Sequence, residues 1–222
     1  MSNLIQGEVE YLKARALSEE TCQKFNYRVG NMSGKKVQIA NYVKDGSVVC
    51  QKVRDKDKNF TVTGDTKALS QLLFGQHLWR DAGKRLIITE GEIDAMSVSQ
   101  AQGNKWPVVS VPNGAQGAAK AVAANIEWVE RFDQVVLCFD SDDPGIQGAK
   151  EVAALLSPGR AFIATLPLKD ANEMLKARKG KELIDALWGA KQFRPDGIID
   201  ISTLENDAVA DIEIGRSWPW AS

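Results

Sequence analysis

Histidine and paired cysteine are what this sequence has least of. His77 is the single imidazole in 222 residues, and Cys22, Cys50 and Cys138 are scattered, with no C-x-x-C pair. That excludes a structural zinc and predicts three buried free thiols. There is no G-x-x-x-x-G-K-[ST] either, which excludes a phosphate-cradling loop of the ATPase kind. No apolar run approaches the ~20 residues that span a bilayer. The start, Met1-Ser2-Asn3-Leu4, has no charged opening followed by an apolar core, so no signal peptide is expected and the cytoplasm is the expected compartment. Net charge is scarce too: 28 basic residues meet 29 acidic ones for a balance of −1. The chain as a whole is therefore not a basic nucleic-acid binder, and any basic site must be a local patch. Its length allows one large domain or two small ones.

What is present is acid at the ends of apolar runs. Leu86-Ile87-Ile88-Thr89 stops at Glu90, and Gly91-Glu92-Ile93-Asp94 follows. Val135-Val136-Leu137-Cys138-Phe139 stops at Asp140, then Ser141 and Asp142. Both runs read as short strands buried on two faces. In an open parallel sheet ligands bind beyond the carboxyl ends of the strands, so adjacent strands would deliver Glu90, Asp140 and Asp142 to one place. At about 4 Å and an effective dielectric near 20, each like-charge pair costs on the order of 4 kcal/mol. Protons or divalent cations must offset that. Hard oxygen donors without His or Cys favour Mg²⁺ or Mn²⁺.

From Lys84 onward strands and helices alternate, which predicts a parallel sheet. The expected strands are Leu86–Thr89, Pro107–Val111, Val135–Phe139 and Ala161–Thr165, with helices between them. Ala118, Val122, Ile126 and Val129 form a buried stripe at helical spacing. Asp170 follows the fourth strand, either joining the acids or capping the next helix. Asn113 and Gly114 offer backbone N–H groups near a helix start, a natural phosphate contact. Before Lys84 the rhythm differs. Ser18 caps a short helix, and Val37–Val43 and Ser47–Val53 flank an Asp45-Gly46 turn, giving a small mixed α+β unit. The second strand runs on into Lys52-Val53-Arg54-Asp55-Lys56-Asp57-Lys58. If that stretch stays extended, Lys52, Arg54, Lys56 and Lys58 share one face, a stripe suited to phosphates or to a solvated hairpin. His77 beside Trp79 is expected to be a packed linker residue. The divisions expected are 1–82, 83–195 and a linker over 196–222, whose Trp218 and Trp220 have little to pack against and suggest a cut before another domain.

Together these motifs carry a resemblance. Thr89-Glu90-Gly91-Glu92-Ile93-Asp94 followed by Asp140-Ser141-Asp142 is similar to the Toprim fold of bacterial-type primases and topoisomerases. Gln51 to Phe60, Leu73 to Trp79 and Lys169-Asp170-Ala171-Asn172 narrow it. The stretch from about Ser18 to Gly197 resembles the primase half of the bifunctional primase–helicases of T-odd-type phages, with the mitochondrial replicative helicase a more distant relative. The resemblance implies metal handling by Glu90, Asp140, Asp142 and Asp170. It implies catalytic roles for Glu90, Asp94, Lys52 and Lys58, and nucleotide or template contacts by Lys52, Arg54, Lys56 and Lys58. It implies a single-stranded DNA template, ribonucleoside triphosphates, a hexameric helicase domain and a replicative DNA polymerase as partners, and no membrane. The family's zinc module and ring helicase have no counterpart in the sequence. Three activities remain open: primer synthesis, phosphodiester hydrolysis, or a non-catalytic single-stranded DNA scaffold. A topoisomerase would need a strand-cleaving tyrosine module, and Tyr11, Tyr27 and Tyr42 do not form one.

Overall fold

A computed structural model describes residues 4–194. The linker expected over 196–222, with its two tryptophans, lies outside them. The first half is an antiparallel sheet. Its strands β1 (Gly7–Glu8), β2 (Tyr27–Met32), β3 (Lys35–Lys44), β4 (Ser47–Arg54) and β5 (Phe60–Gly64) lie in sequence order. Helix α1 (Glu19–Lys24) starts where expected, because the Ser18 hydroxyl accepts a hydrogen bond from the Thr21 N–H. Asp45 and Gly46 take φ of 51° and 75°, the left-handed pair that a tight hairpin between β3 and β4 requires.

The second half is the expected parallel α/β unit. Its elements are β6 (Gly83–Thr89), α2 (Glu92–Ala101), β7 (Val108–Ser110), α3 (Gly114–Ala123), α4 (Ile126–Val129), β8 (Phe132–Cys138), α5 (Asp143–Ala153), β9 (Ala161–Ile163), α6 (Ala171–Lys176), α7 (Gly180–Trp188) and β10 (Lys191–Gln192). The sheet order is β10-β9-β8-β6-β7, parallel except for β10. Successive side chains of β6 and β8 face opposite ways. Ile87, Val136 and Cys138 pack on the α2, α6 and α7 side, and Leu86, Ile88, Val135 and Leu137 on the α3 and α5 side. This two-sided burial is why both strands read as continuous apolar runs. The stripe from Ala118 to Val129 is split between α3 and α4. Asn125 interrupts it, its amide donating to the Ala121 and Gln71 carbonyls at 2.8 and 2.9 Å.

One core joins the halves. Phe25, Tyr27, Tyr42 and Phe74 from the first half pack in the same cluster as Met96, Met174 and Leu183 from the second. Phe74 exchanges both backbone hydrogen bonds with Ser110, extending the free edge of β7. Trp79 donates its indole N–H to the Val108 carbonyl at 2.8 Å, whereas His77 is exposed rather than packed. All three cysteines are buried and free. Among the described residues no helix is long and apolar enough to cross a membrane.

Candidate functional site

The parallel register sets the acids. Thr89 on β6 stands beside Cys138 on β8, so Glu90 lies one residue past its strand and Asp140 two past its neighbour. The Glu90 carboxylate reaches across to the Asp140 backbone, whose N–H points to Oε2 at 3.4 Å. Gly145, in the first turn of α5, packs so tightly under Asp140 that a Cβ there would collide with the Asp140 carbonyl. Gly114 lies beside the Glu90 carboxylate and takes φ 66°, the left-handed backbone that favours glycine.

The expected set does not close into a compact cage. Asp142 and Asp170 each give an oxygen to a helix N-terminus: Asp142 accepts from the Gly145 N–H at 3.1 Å, and Asp170 from the Glu173 N–H at 2.7 Å. Lys169 bridges two acids, its ammonium lying 3.5 Å from Asp140 and 3.6 Å from Asp142. Among the described residues no three His, Cys, Asp or Glu side chains converge closely enough to ligate one ion as they stand. The electrostatics nonetheless register one acidic cluster. Burial first, then Glu90 and Asp170, push the Asp140 carboxyl up to about 6 against the pull of Lys169. Burial, then Asp170, push Asp94 up to about 8, opposed by the Asn172 N–H that donates to its Oδ1 at 3.0 Å. Crowded hard-oxygen donors that resist sharing their charge fit a divalent cation such as Mg²⁺ or Mn²⁺.

Opposite the acids stands one face of the antiparallel sheet. Lys52, Arg54 and Phe60 line a cleft of about 480 Å³ together with Glu90, Asp94, Asn113, Gly114 and Asp140. A second cleft of about 630 Å³ adjoins it, where Arg54 and Lys58 meet Asp94, Lys169 and Asp170. The extended stripe expected from Lys52 to Lys58 is not what forms. β4 ends at Arg54, and Asp55 folds the chain back by accepting from the Asp57 and Asn59 N–H groups at 2.8 and 2.9 Å, with Lys58 at φ 66°. Lys52 and Arg54 stay on one face, Lys58 swings to the second cleft, and Lys56 lies apart in a groove with Lys13 and Lys36.

Sequence reasoning missed what holds Lys52. Glu92, the first residue of α2, is buried, and its Oε1 lies 2.9 Å from the Lys52 ammonium and accepts the Tyr42 hydroxyl at 2.6 Å. Lys52 also donates to the Pro112 carbonyl at 2.7 Å. Asn172 was missed as well. Its side chain donates to Ser97 Oγ and to the Arg15 carbonyl, both at 2.9 Å, while its backbone N–H holds Asp94. A residue in the resembling Lys169–Asn172 motif was the only signal for it.

Comparison with known proteins follows the same lines. Residues 7–64 match the family described as the N-terminal a+b fold of the bacteriophage T7 DNA helicase/primase, and residues 87–175 match the family described as Toprim-like. The DNA helicase/primase of Enterobacteria phage T3 is 43% identical over 201 residues, covering 90% of this chain. The chain spans 35% of that relative's length. The crystal structure of the primase fragment of the bacteriophage T7 primase-helicase superposes with a TM-score of 0.78 at 44% identity, covering 83% of this chain and 76% of that one. A structure of the T7 lagging-strand DNA polymerase interacting with primase domains bound to an RNA/DNA hybrid and dTTP matches with a TM-score of 0.80 at 43% identity, covering 85% and 95%.

Proposed function

The chain belongs to the Toprim-fold primases of the T7 phage type, and from that premise we propose that it synthesises short RNA primers on single-stranded DNA from ribonucleoside triphosphates. The observation that carries the reading is the pairing of a carboxylate wall, Glu90, Asp94 and Asp140, with a cationic wall, Lys52 and Arg54, across one cleft. A nucleotide needs both: carboxylates where its reacting phosphate binds cation, and ammonium or guanidinium groups along its other phosphates.

In each addition the 3′-hydroxyl of one nucleotide attacks the α-phosphorus of the next; the new O–P bond forms as the bond to pyrophosphate breaks. Glu90 would take the hydroxyl proton, directly or through water, as well as serve as a ligand. Asp140, Asp142, Asp170 and Glu90 would hold divalent cation, in the proposed case two ions. Bound there, Mg²⁺ or Mn²⁺ would supply charge neutralisation at the attacking and leaving oxygens. Asp94, held by Asn172, sets the back of the site. Lys52 and Arg54 orient triphosphate and template, Lys58 serves the adjoining cleft, and the Asn113–Gly114 turn offers N–H groups to phosphate. The proposed division of labour is a cationic unit over 1–82 and a catalytic unit over 83–195. The proposed partners are a hexameric helicase domain and the replicative DNA polymerase, in a host cytoplasm.

Incubation with Mg²⁺ or Mn²⁺, a single-stranded template and labelled ribonucleotides tests this. Dinucleotide or longer RNA is the expected product. Degraded template would make the chain a nuclease instead, and binding without either product would make it a scaffold.

A further inference from the structure

We propose that Phe60 is a stacking platform for a nucleobase at the mouth of the acidic cleft; this rests on the reading that the cleft takes nucleotides. Six large apolar side chains stand in solvent among the described residues, and Phe60 alone of them lines the cleft that holds Glu90 and Asp140. The residue is 55% exposed and belongs to none of the hydrophobic clusters that make the core. Packing therefore does not account for an aromatic at this position.

The position is nonetheless built. Phe60 opens β5, the edge strand, and pairs across the ladder with Arg54, so the ring stands on the cationic face of the sheet. The Lys52 ammonium lies 4.9 Å and the Arg54 guanidinium 5.5 Å from its ring centroid. Both contacts are in the range where a cation holds an aromatic face, and they limit how far an exposed side chain can wander before a ligand arrives. The residue stays exposed at the mouth of the cleft, open to a second, flat partner. The bases of a strand or a free nucleotide are flat π systems with phosphates attached, and the same two cations are there to receive those phosphates. Such stacking is tolerant of base identity, because every base has a π face. The platform thus binds a purine or a pyrimidine and places it beside the carboxylates, without reading sequence.

Two fluorescent probes test it: a single-stranded DNA oligonucleotide carrying 2-aminopurine, and 2-aminopurine riboside triphosphate, each titrated with Mg²⁺ present. Wild-type protein is expected to bind and quench at least one of them. Phe60→Ala and Phe60→Leu are expected to weaken that binding by roughly tenfold and to abolish the quench, while Phe60→Trp keeps both. Thermal unfolding of all three variants should match the wild type, since the ring is outside the core. A loss seen only with the oligonucleotide identifies a template base, and one seen only with the triphosphate identifies the incoming base; either supports the platform. Unchanged binding in Phe60→Ala, full quenching in Phe60→Leu, or a wild type that binds neither probe overturns it. A wild type that makes no primers yet shows ring-dependent quenching sinks the proposed synthesis and leaves the platform standing.

Discussion

On the parallel sheet the side chains of the proposed site lie where strands stop: Glu90 one residue past β6 and Asp140 two past β8. On the antiparallel sheet they lie within a strand, Lys52 and Arg54 two residues apart on β4. The first kind of residue projects from a finished core and contributes little to it. The second kind is stitched into the fold, as Lys52 is through Glu92, Tyr42 and Pro112. The contrast predicts that acids past strand ends are separable from stability and that a cation tied into the sheet, as Lys52 is, is not.

The largest test of that contrast is Asp140→Asn. Primer synthesis should fall by roughly 10³-fold in kcat, while the melting temperature holds or rises, because a crowded charge has been removed. A clear drop in melting temperature would erase the distinction. Next is Lys52→Ala, which leaves the Glu92 carboxylate buried without its ammonium. It should cost about 3 kcal/mol in denaturant unfolding, and the double variant with Glu92→Gln should recover most of that. If Lys52→Ala unfolds like the wild type, this in-strand cation is as dispensable as the strand-end acids.

A smaller effect sharpens the acidic side. Asp94 has a raised carboxyl pKa, about 8 against 3.8 in an ordinary setting, so the folded protein keeps a proton that the unfolded chain releases. Its stabilisation is complete below about pH 4 and is lost as pH rises through 8, and Asp140 adds to the loss up to about pH 6. In chelator the melting temperature should fall by on the order of 5 °C between pH 5 and pH 8.5. Asp94→Asn, or added Mg²⁺, should flatten the upper part of that slope; a slope unchanged by either would show that these acids are not coupled. The smallest effect separates two lysines of one hairpin. Lys58→Ala should weaken nucleotide affinity by roughly threefold, and Lys56→Ala should leave it unchanged. Equal losses would restore the continuous stripe.

The same contrast explains what the sequence revealed. The strands β6 and β8 were legible because burial on both faces writes an unbroken apolar run, and an acid at its end stands out. The strand β5 was not, because Asp55 to Asn59 looks like alternating charge. The turn depends on one carboxylate accepting several N–H groups and on a lysine in a left-handed conformation, neither of which marks a turn by composition. Glu92 was illegible because an acid in the first turn of a helix is ordinarily solvated, and only the facing sheet buries it. The helix cap was one of the two readings the sequence offered for Asp170, and it forms; that Asp142 caps α5 as well was not read, because it depended on where that helix starts.

Asn172 clasps the backbone of Arg15 and the carboxylate of Asp94 at once, joining positions 157 residues apart in the chain. A ribosome must therefore have passed residue 172 before Asp94 can be anchored. Until then the nascent polypeptide carries Asp94 without the backbone N–H that holds its carboxylate, so that corner of the cleft is among the last parts of the fold to set.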